Sequence, residues 1–413
     1  MDKTEDHLIT RFRNGIRLVH KQVNNTKIVH CGFILDIGSR DEEIQEQGVA
    51  HFWEHMAFKG TKKRNFFHII DRLESVGGEL NAFTTKEKIC FYASVLDKYF
   101  ENAVELLTDI TFRSVFPHKE IVKEKQVILD EMLMYYDNPD DSIQDDFDNI
   151  IFPGQPMGRN ILGTRDSVMS IRQKSFAGFI NRNLHSDKIV FSVVGNISAD
   201  ACRKIVEKYI EGLPGFKAIN RRKKPVPAPP ENKIVNRSIS RAYCAIGRLA
   251  YSIKHHKRLN FFLLTNILGG PALNSKLNLA LREHKGLVYS IDASYSPYSD
   301  TGIFGIFFGT ERKLLEKCLN LVTREMLKLK TKPLGTLQIN KAREQMIGQL
   351  AMAEENYNSL MLMLGRSILD LGYVDRFENI VNQIRKITSA ELRKIADEMF
   401  DDRELSSLIY YPN

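Results

Sequence analysis

The sequence predicts an α+β protein made of two homologous α/β domains, each a mainly antiparallel sheet packed with helices. Three observations predict it. Short β-branched and aromatic stretches alternate with longer segments of helical periodicity. A segment rich in proline and charge, residues 217–233 (KAINRRKKPVPAPPENK), divides the chain near its middle. The two sides of that segment resemble each other. The expected organisation is therefore a domain over 1–216, a linker over 217–233 and a second domain over 234–413.

The elements follow in chain order. Arg17–His20 and Ile28–Leu35 read as strands of a hairpin turned through Asn24 and Asn25. Val49, Phe52, Trp53 and Met56 then recur at i, i+3, i+4 and i+7, so one face of a helix should point at the core. At about 100° per residue, His51, Glu54 and His55 fall on the opposite side. Two imidazoles so placed can hold one metal ion, with the carboxylate between them reaching a water on it. Read singly, either histidine is an ordinary surface or core residue. After the break at Gly77 and Gly78, the stretch Leu80 to Leu96 reads as strand, with Ile89–Val95 its clearest part. Residues 117–137 form a helix opened by Pro117 and stopped before Asn138 and Pro139. Glu124 and Glu131 lie seven residues apart on it and share a face. In isolation that is a charged helix face.

The second half repeats this order. Ile121–Glu131 lines up with Ile339–Gln349, Glu101–Leu107 with Glu316–Val322, and Leu80–Leu96 with Leu287–Gly309. Aligning Gly60 with Gly269 sets Asn260, Leu263 and Leu264 opposite His51, Glu54 and His55, and Gln349 opposite Glu131. The second copy keeps the scaffold and lacks the chemistry, which argues that these residues are not there to stabilise the fold.

Composition narrows the classes. Of 413 residues 43% are hydrophobic and 27% charged, as in soluble globular proteins. No apolar run approaches the ~18 residues of a membrane span, and the first residues lack the pattern of a signal peptide. The five cysteines are scattered, without C-x-x-C spacing, which fits a reducing, cytoplasmic setting. The net charge of +8 includes Arg221–Lys224, read here as a solvated linker. No aromatic-interleaved basic stripe points to nucleic acid.

Gly48 to Thr61 reads GVAHFWEHMAFKGT, and Glu131 follows His55 by 76 residues in a helix carrying E-(x)6-E. In these motifs, and over nearly its whole length, the chain resembles the inverted-motif zinc metallopeptidases, the family of pitrilysin, insulin-degrading enzyme and mitochondrial processing peptidase. It is most similar to the short, two-domain processing peptidases, with Trp53 in place of the usual leucine. The resemblance implies one zinc per chain on His51, His55 and Glu131, with Glu124 behind the ligands. Glu54 is then the general base on a zinc-bound water. It further implies that Gly77–Thr84 leads into an edge strand that takes the substrate as an added strand, with Asn81 and Ala82 flanking the scissile bond. In the second half, Arg282 and Tyr289 carry the family's R-(x)6-Y pattern: Arg282 would grip a substrate carbonyl and Tyr289 the tetrahedral oxyanion.

The expected function is a zinc-dependent endopeptidase hydrolysing peptides or unfolded segments inside a closed chamber. The alternative is an inactive scaffold or partner subunit of a processing-peptidase-like complex. The family's chamber needs four such units, and this chain has two. A homodimer with composite sites is expected, with a heterodimer as its rival.

Overall fold

The computed structural model describes residues 7–218 and 222–413. The first residues of the chain and residues 219–221 of the expected linker, Arg221 among them, lie outside the described residues. The fold class is the one expected: two sheets, each packed with helices.

The first sheet holds β1 (Leu8–Arg11), β2 (Arg17–Gln22), β3 (Ile28–Leu35), β4 (Glu79–Thr84), β5 (Ile89–Leu96) and β6 (Ile189–Gly195). Their order is β1-β2-β6-β3-β5-β4, antiparallel throughout except for the β2–β6 pair. The second sheet holds β7 (Asn232–Arg237), β8 (Ala242–Ala250), β9 (Val288–Pro297), β10 (Gly302–Thr310) and β11 (Ser406–Pro412), in the order β7-β11-β8-β10-β9. Its single parallel pair, β7–β11, occupies the place of β2–β6. The two sheets thus share one topology, with β1 as an addition to the first.

One expected pairing is corrected. The strands around Asn24 and Asn25 are not a hairpin, because β6 lies between β2 and β3. Every residue of β6 is buried, so it takes a central place with both faces covered. The hairpin partner of β2 is β1.

Strands apolar on both faces need helices on both sides, and this explains how the chain is apportioned. The first compact unit comprises residues up to Met132, Asn160–Arg222 and Met352–Val374; the second comprises Leu133–Arg159, Lys223–Ala351 and the residues from Asp375 on. Each unit therefore crosses the boundaries expected at 217–233 and takes one helix from the other half of the chain. In the first unit, one face of the sheet packs on α1 (Val49–Ala57), α2 (Phe66–Glu74), α3 (Phe100–Phe112) and α4 (His118–Asp137). The other face, through Val19, Ile34 and Val190, receives Leu360, Met361 and Leu364 of the helix Tyr357–Asp370. Gly365 allows that approach, since a Cβ there would stand 2.5 Å from Ile34 Cδ1. In the second unit, α5 (Pro139–Ile151) lays Ile143, Phe147 and Ile150 against Ala245, Ile303 and Leu408.

A second correction concerns the basic run. Arg222 is not solvated: its side chain is 9% exposed and reaches Asp36 (2.7 Å), Asp41 (2.7 Å) and Glu87 (3.7 Å). Burial works to lower its proton affinity, but the surrounding carboxylates outweigh burial and raise it. Lys88 joins the same cluster through Asp36 and Asp370. Removing one partner of such a buried network leaves charges uncompensated. Arg222→Ala should therefore destabilise the first unit by about 3–5 kcal/mol. Trp53 is the sole tryptophan and is fully buried in that unit, so the shift in urea midpoint is read from its fluorescence.

Candidate metal centre

The geometry starts at the N-terminus of α1. Gly48 precedes the helix in the left-handed region (φ 88°). Glu42 closes the first turn, its carboxylate accepting from Gly48 N (2.9 Å) and Ala50 N (2.8 Å). A buried carboxylate at the positive end of a helix holds α1 in place. Val49, Phe52, Trp53 and Met56 are fully buried on the core side. His51, Glu54 and His55 lie on the other side; His51 is buried and the other two are half-buried.

The matching wall is α4. Phe116 turns the chain into it with φ 49°, held by stacking of its ring on Phe176 at 4.6 Å between centroids. Glu131 then presents Oε2 at 3.7 Å from His51 Nε2 and 3.5 Å from His55 Nε2. These three residues offer ligand atoms that all lie within 4.8 Å of one another, and they are the one such cluster among the described residues. Donor atoms around a tetrahedral zinc at about 2.1 Å would stand roughly 3.4 Å apart, close to the two spacings observed. The donor set, two imidazoles and one carboxylate, suits zinc with a further position left open.

Protonation fits as well. His55 Nδ1 donates to Glu124 Oε2 at 3.1 Å, which fixes that proton and leaves Nε2 on the side of Glu131. Lys59 Nζ in turn holds Glu124 Oε1 at 2.7 Å. Burial alone would lower the His55 pKa, but the bonds to Glu124 and Glu131 outweigh it and raise it to about 9. His51 behaves oppositely. Burial first, then the neighbouring His55 charge, lower it to about 4, and its buried Nδ1 has no hydrogen-bond partner among the described residues. Glu131 is lowered by its bond to His55, then by the nearby imidazoles. Glu124 is also lowered: burial pushes its pKa up, and the bonds from His55 and Lys59 more than offset that.

Glu54 makes a separate arrangement. Its Oε2 accepts from Thr84 Oγ1 at 2.6 Å. Burial raises its pKa, and the Thr84 bond only partly opposes the rise. Thr84 ends β4, the edge strand of the first sheet, where Asn81 pairs with Tyr92 and Ala82 with Phe91. Arg282 and Tyr289 belong to the second unit. Arg282 lies in a short helical segment, Asn278–Glu283, beside Glu283 (3.6 Å), and Tyr289 is 79% exposed on β9. Thr84 and Lys59 escaped sequence reasoning, because nothing in their spacing ties them to Glu54 or Glu124.

The second copy corrects one alignment. Leu263 and Leu264 do not stand where Glu54 and His55 stand; both are fully buried in the second core. The residue facing Gln349 is Asn266, which donates Nδ2 to Gln349 Oε1 at 2.8 Å. The helix Arg258–Gly269 is three residues longer than α1. A glycine-anchored alignment therefore slips its register. Among the described residues no metal-ligating cluster replaces the lost one, and Phe262, Thr265 and Asn266 line this side.

Comparison with known proteins bears on the family and the fold. The family profile described as insulinase, peptidase family M16, matches residues 17–165, and that described as the peptidase M16 inactive domain matches residues 170–346. An uncharacterized zinc protease, YmxG, of Bacillus subtilis (strain 168) is 31% identical over 404 residues, 97% of this chain and 98% of its own. An uncharacterized zinc protease of Rickettsia bellii (strain RML369-C) is 30% identical over 405 residues, 98% of each chain. Among solved structures, a peptidase M16 inactive domain from Pseudomonas fluorescens superposes with a TM-score of 0.91 at 17% identity, covering 99% of this chain and 98% of that one.

The raised His55 pKa has a measurable consequence. Below about 9 the metal-free site carries a proton on His55 that an incoming ion must displace. Zinc binding at pH 7 should release about one proton, and affinity should rise about tenfold per pH unit between pH 6 and 8. Titration calorimetry in buffers of different ionisation enthalpy reads both; a heat independent of buffer would contradict this.

Proposed function

The chain belongs to the insulinase family, peptidase family M16, and from that premise we propose that it is a zinc-dependent endopeptidase acting on peptides or unfolded polypeptide segments. The observation that carries this reading is the convergence of His51, His55 and Glu131 on one point, with Glu54 on the same face of α1. A zinc ion held there would supply a Lewis acid for the peptide carbonyl and would acidify water. The remaining steps fall to the chain itself. Glu54 takes the proton of the attacking water and passes it to the leaving amine. Burial suits it to this work by raising its pKa, and Thr84 holds one of its oxygens so that the other is free to act. Glu124 orients His55.

The substrate would add to β4 as a further strand, with Asn81 and Ala82 flanking the scissile bond. Arg282 would hold a substrate carbonyl and Tyr289 would donate its hydroxyl to the oxyanion. A tyrosine this exposed would gain its purpose from a substrate or a second chain. We therefore take the active form to be a homodimer with one zinc per chain, in which each site combines the metal ligands of one chain with Arg282 and Tyr289 of the other. The five cysteines are free and buried, which supports a reducing, cytoplasmic setting. No helix among the described residues is long and apolar enough to cross a membrane.

Glu54→Gln should keep its zinc by elemental analysis while kcat on a quenched peptide library falls by about 10²–10⁴-fold. Wild-type cleavage should stop on chelation. A fully active Glu54→Gln protein would remove the general base, and no chelator-sensitive cleavage at all would favour the scaffold role. The composite site has its own test. Glu54→Gln and Tyr289→Phe chains, each inactive alone, are mixed and allowed to exchange. Random pairing should restore about a quarter of wild-type activity, since half the dimers are mixed and each has one intact site. No recovery would mean that each site is built within one chain.

A further inference from the structure

A cleft of about 1040 Å³ opens beside the metal centre, lined by Lys59–His68 and by the first turns of α4. We infer that it is a subsite for an acidic segment of the substrate, an assignment that rests on the peptidase reading above. Three lysines on its lining, Lys62, Lys63 and Lys119, are exposed and have no carboxylate within salt-bridge distance among the described residues. The other cations there are already engaged: Lys59 with Glu124, Lys123 with Glu120 (3.0 Å), and Arg64 with Glu105 and Asp109. Both carboxylates of the lining, Glu120 and Glu124, are among these partners. The unmatched charge is therefore positive, and the N-terminus of α4 adds to it.

Lys62 and Lys63 sit on a built loop, and Lys119 on the first turn of α4. Thr61 Oγ1 donates to the fully buried Asp109 (2.7 Å) and accepts from Lys63 N (3.1 Å) and Arg64 N (3.0 Å). Arg64 reaches past it to Asp109 (2.8 Å) and Glu105 (2.7 Å). Lys62 N donates to Arg113 O at 3.3 Å and Val115 N to Gly60 O at 3.1 Å. The ordered backbone keeps the two lysines neighbours at the mouth of the cleft, where their like charges favour an anion between them. Phe66 and Phe67 stand in the same cleft, 48% and 66% exposed, with Lys59 Nζ 5.0 Å from the Phe66 ring. Adjacent exposed aromatics add an apolar contact to the charge. Lys59 and Glu124 line the cleft and also lead to His55. The cleft thus borders, within the first unit, the residues that hold His55 in place.

The experiment compares two peptides of equal length, one rich in Asp and Glu around a Phe, the other with Lys at those acidic positions. Binding to the full-length Glu54→Gln protein is followed by fluorescence anisotropy, so that cleavage does not interfere. The acidic peptide should bind about tenfold tighter or better at low salt, and the margin should shrink as salt is raised. Lys62→Gln/Lys63→Gln/Lys119→Gln should bring the two peptides to within about twofold. A control with the same loss of charge, Lys332→Gln/Lys341→Gln/Lys394→Gln, should keep the preference. Equal binding of both peptides, a preference that survives the cleft substitutions, or equal loss in the control would each overturn the inference. Wild-type cleavage separates it from the broader reading. A protein that cuts both peptides alike remains a peptidase without this subsite. One that binds the acidic peptide through these lysines and cuts nothing keeps the subsite and loses the peptidase.

Discussion

Helix α1 must satisfy opposite demands on its two sides within nine residues. Val49, Phe52, Trp53 and Met56 leave water completely, while the other side carries two imidazoles and a carboxylate that cannot be left unpaired at low cost. Two distant segments meet part of the second demand, Glu124 from α4 on His55 and Thr84 from β4 on Glu54, while Glu42 holds the backbone of the helix N-terminus. The helix is thereby fixed against the sheet edge and against α4 at once. Two buried nitrogens on it, His51 Nδ1 and Trp53 Nε1, find no hydrogen-bond partner among the described residues. Such exceptions gather where a site has been built for something other than stability.

The same economy shapes the scaffold. Central strands that are apolar on both faces cannot be covered by helices from one side alone. The helix Tyr357–Asp370 closes the first sheet and α5 closes the second, each supplied by the other half of the chain. Cutting the chain between 217 and 233 would strip each sheet of one cover. The buried Arg222 adds to this, because the segment leaving the first domain is drawn into a cluster with Asp36, Asp41 and Glu87.

Duplication supplies an internal control on the site. Where His55 approaches Glu131 across two helices of the first unit, Asn266 and Gln349 meet across the corresponding helices of the second. A neutral amide pair satisfies itself, whereas two imidazoles and a carboxylate at 3.5–3.7 Å call for a proton or a metal between them. The raised proton affinity of His55 is the mark of that demand.

The sequence by itself determined the fold class, the duplication, the faces of α1 and α4, and the residues His51, Glu54, His55, Glu124 and Glu131. All of these are periodic or motif signals, carried by neighbours along one helix, and local spacing sets which side chains share a face. Tertiary structure decided the rest. The insertion of β6 between β2 and β3 depends on residues more than a hundred positions away, as do the two exchanged helices. Arg222 looked solvated because a charge run carries no trace of the carboxylates that will surround it. Thr84 and Lys59 acquire their roles, and the imidazoles their divergent proton affinities, only when separate segments are brought within hydrogen-bond reach. Burial and neighbouring charge act over a few ångströms of space, and spacing along the chain does not encode them.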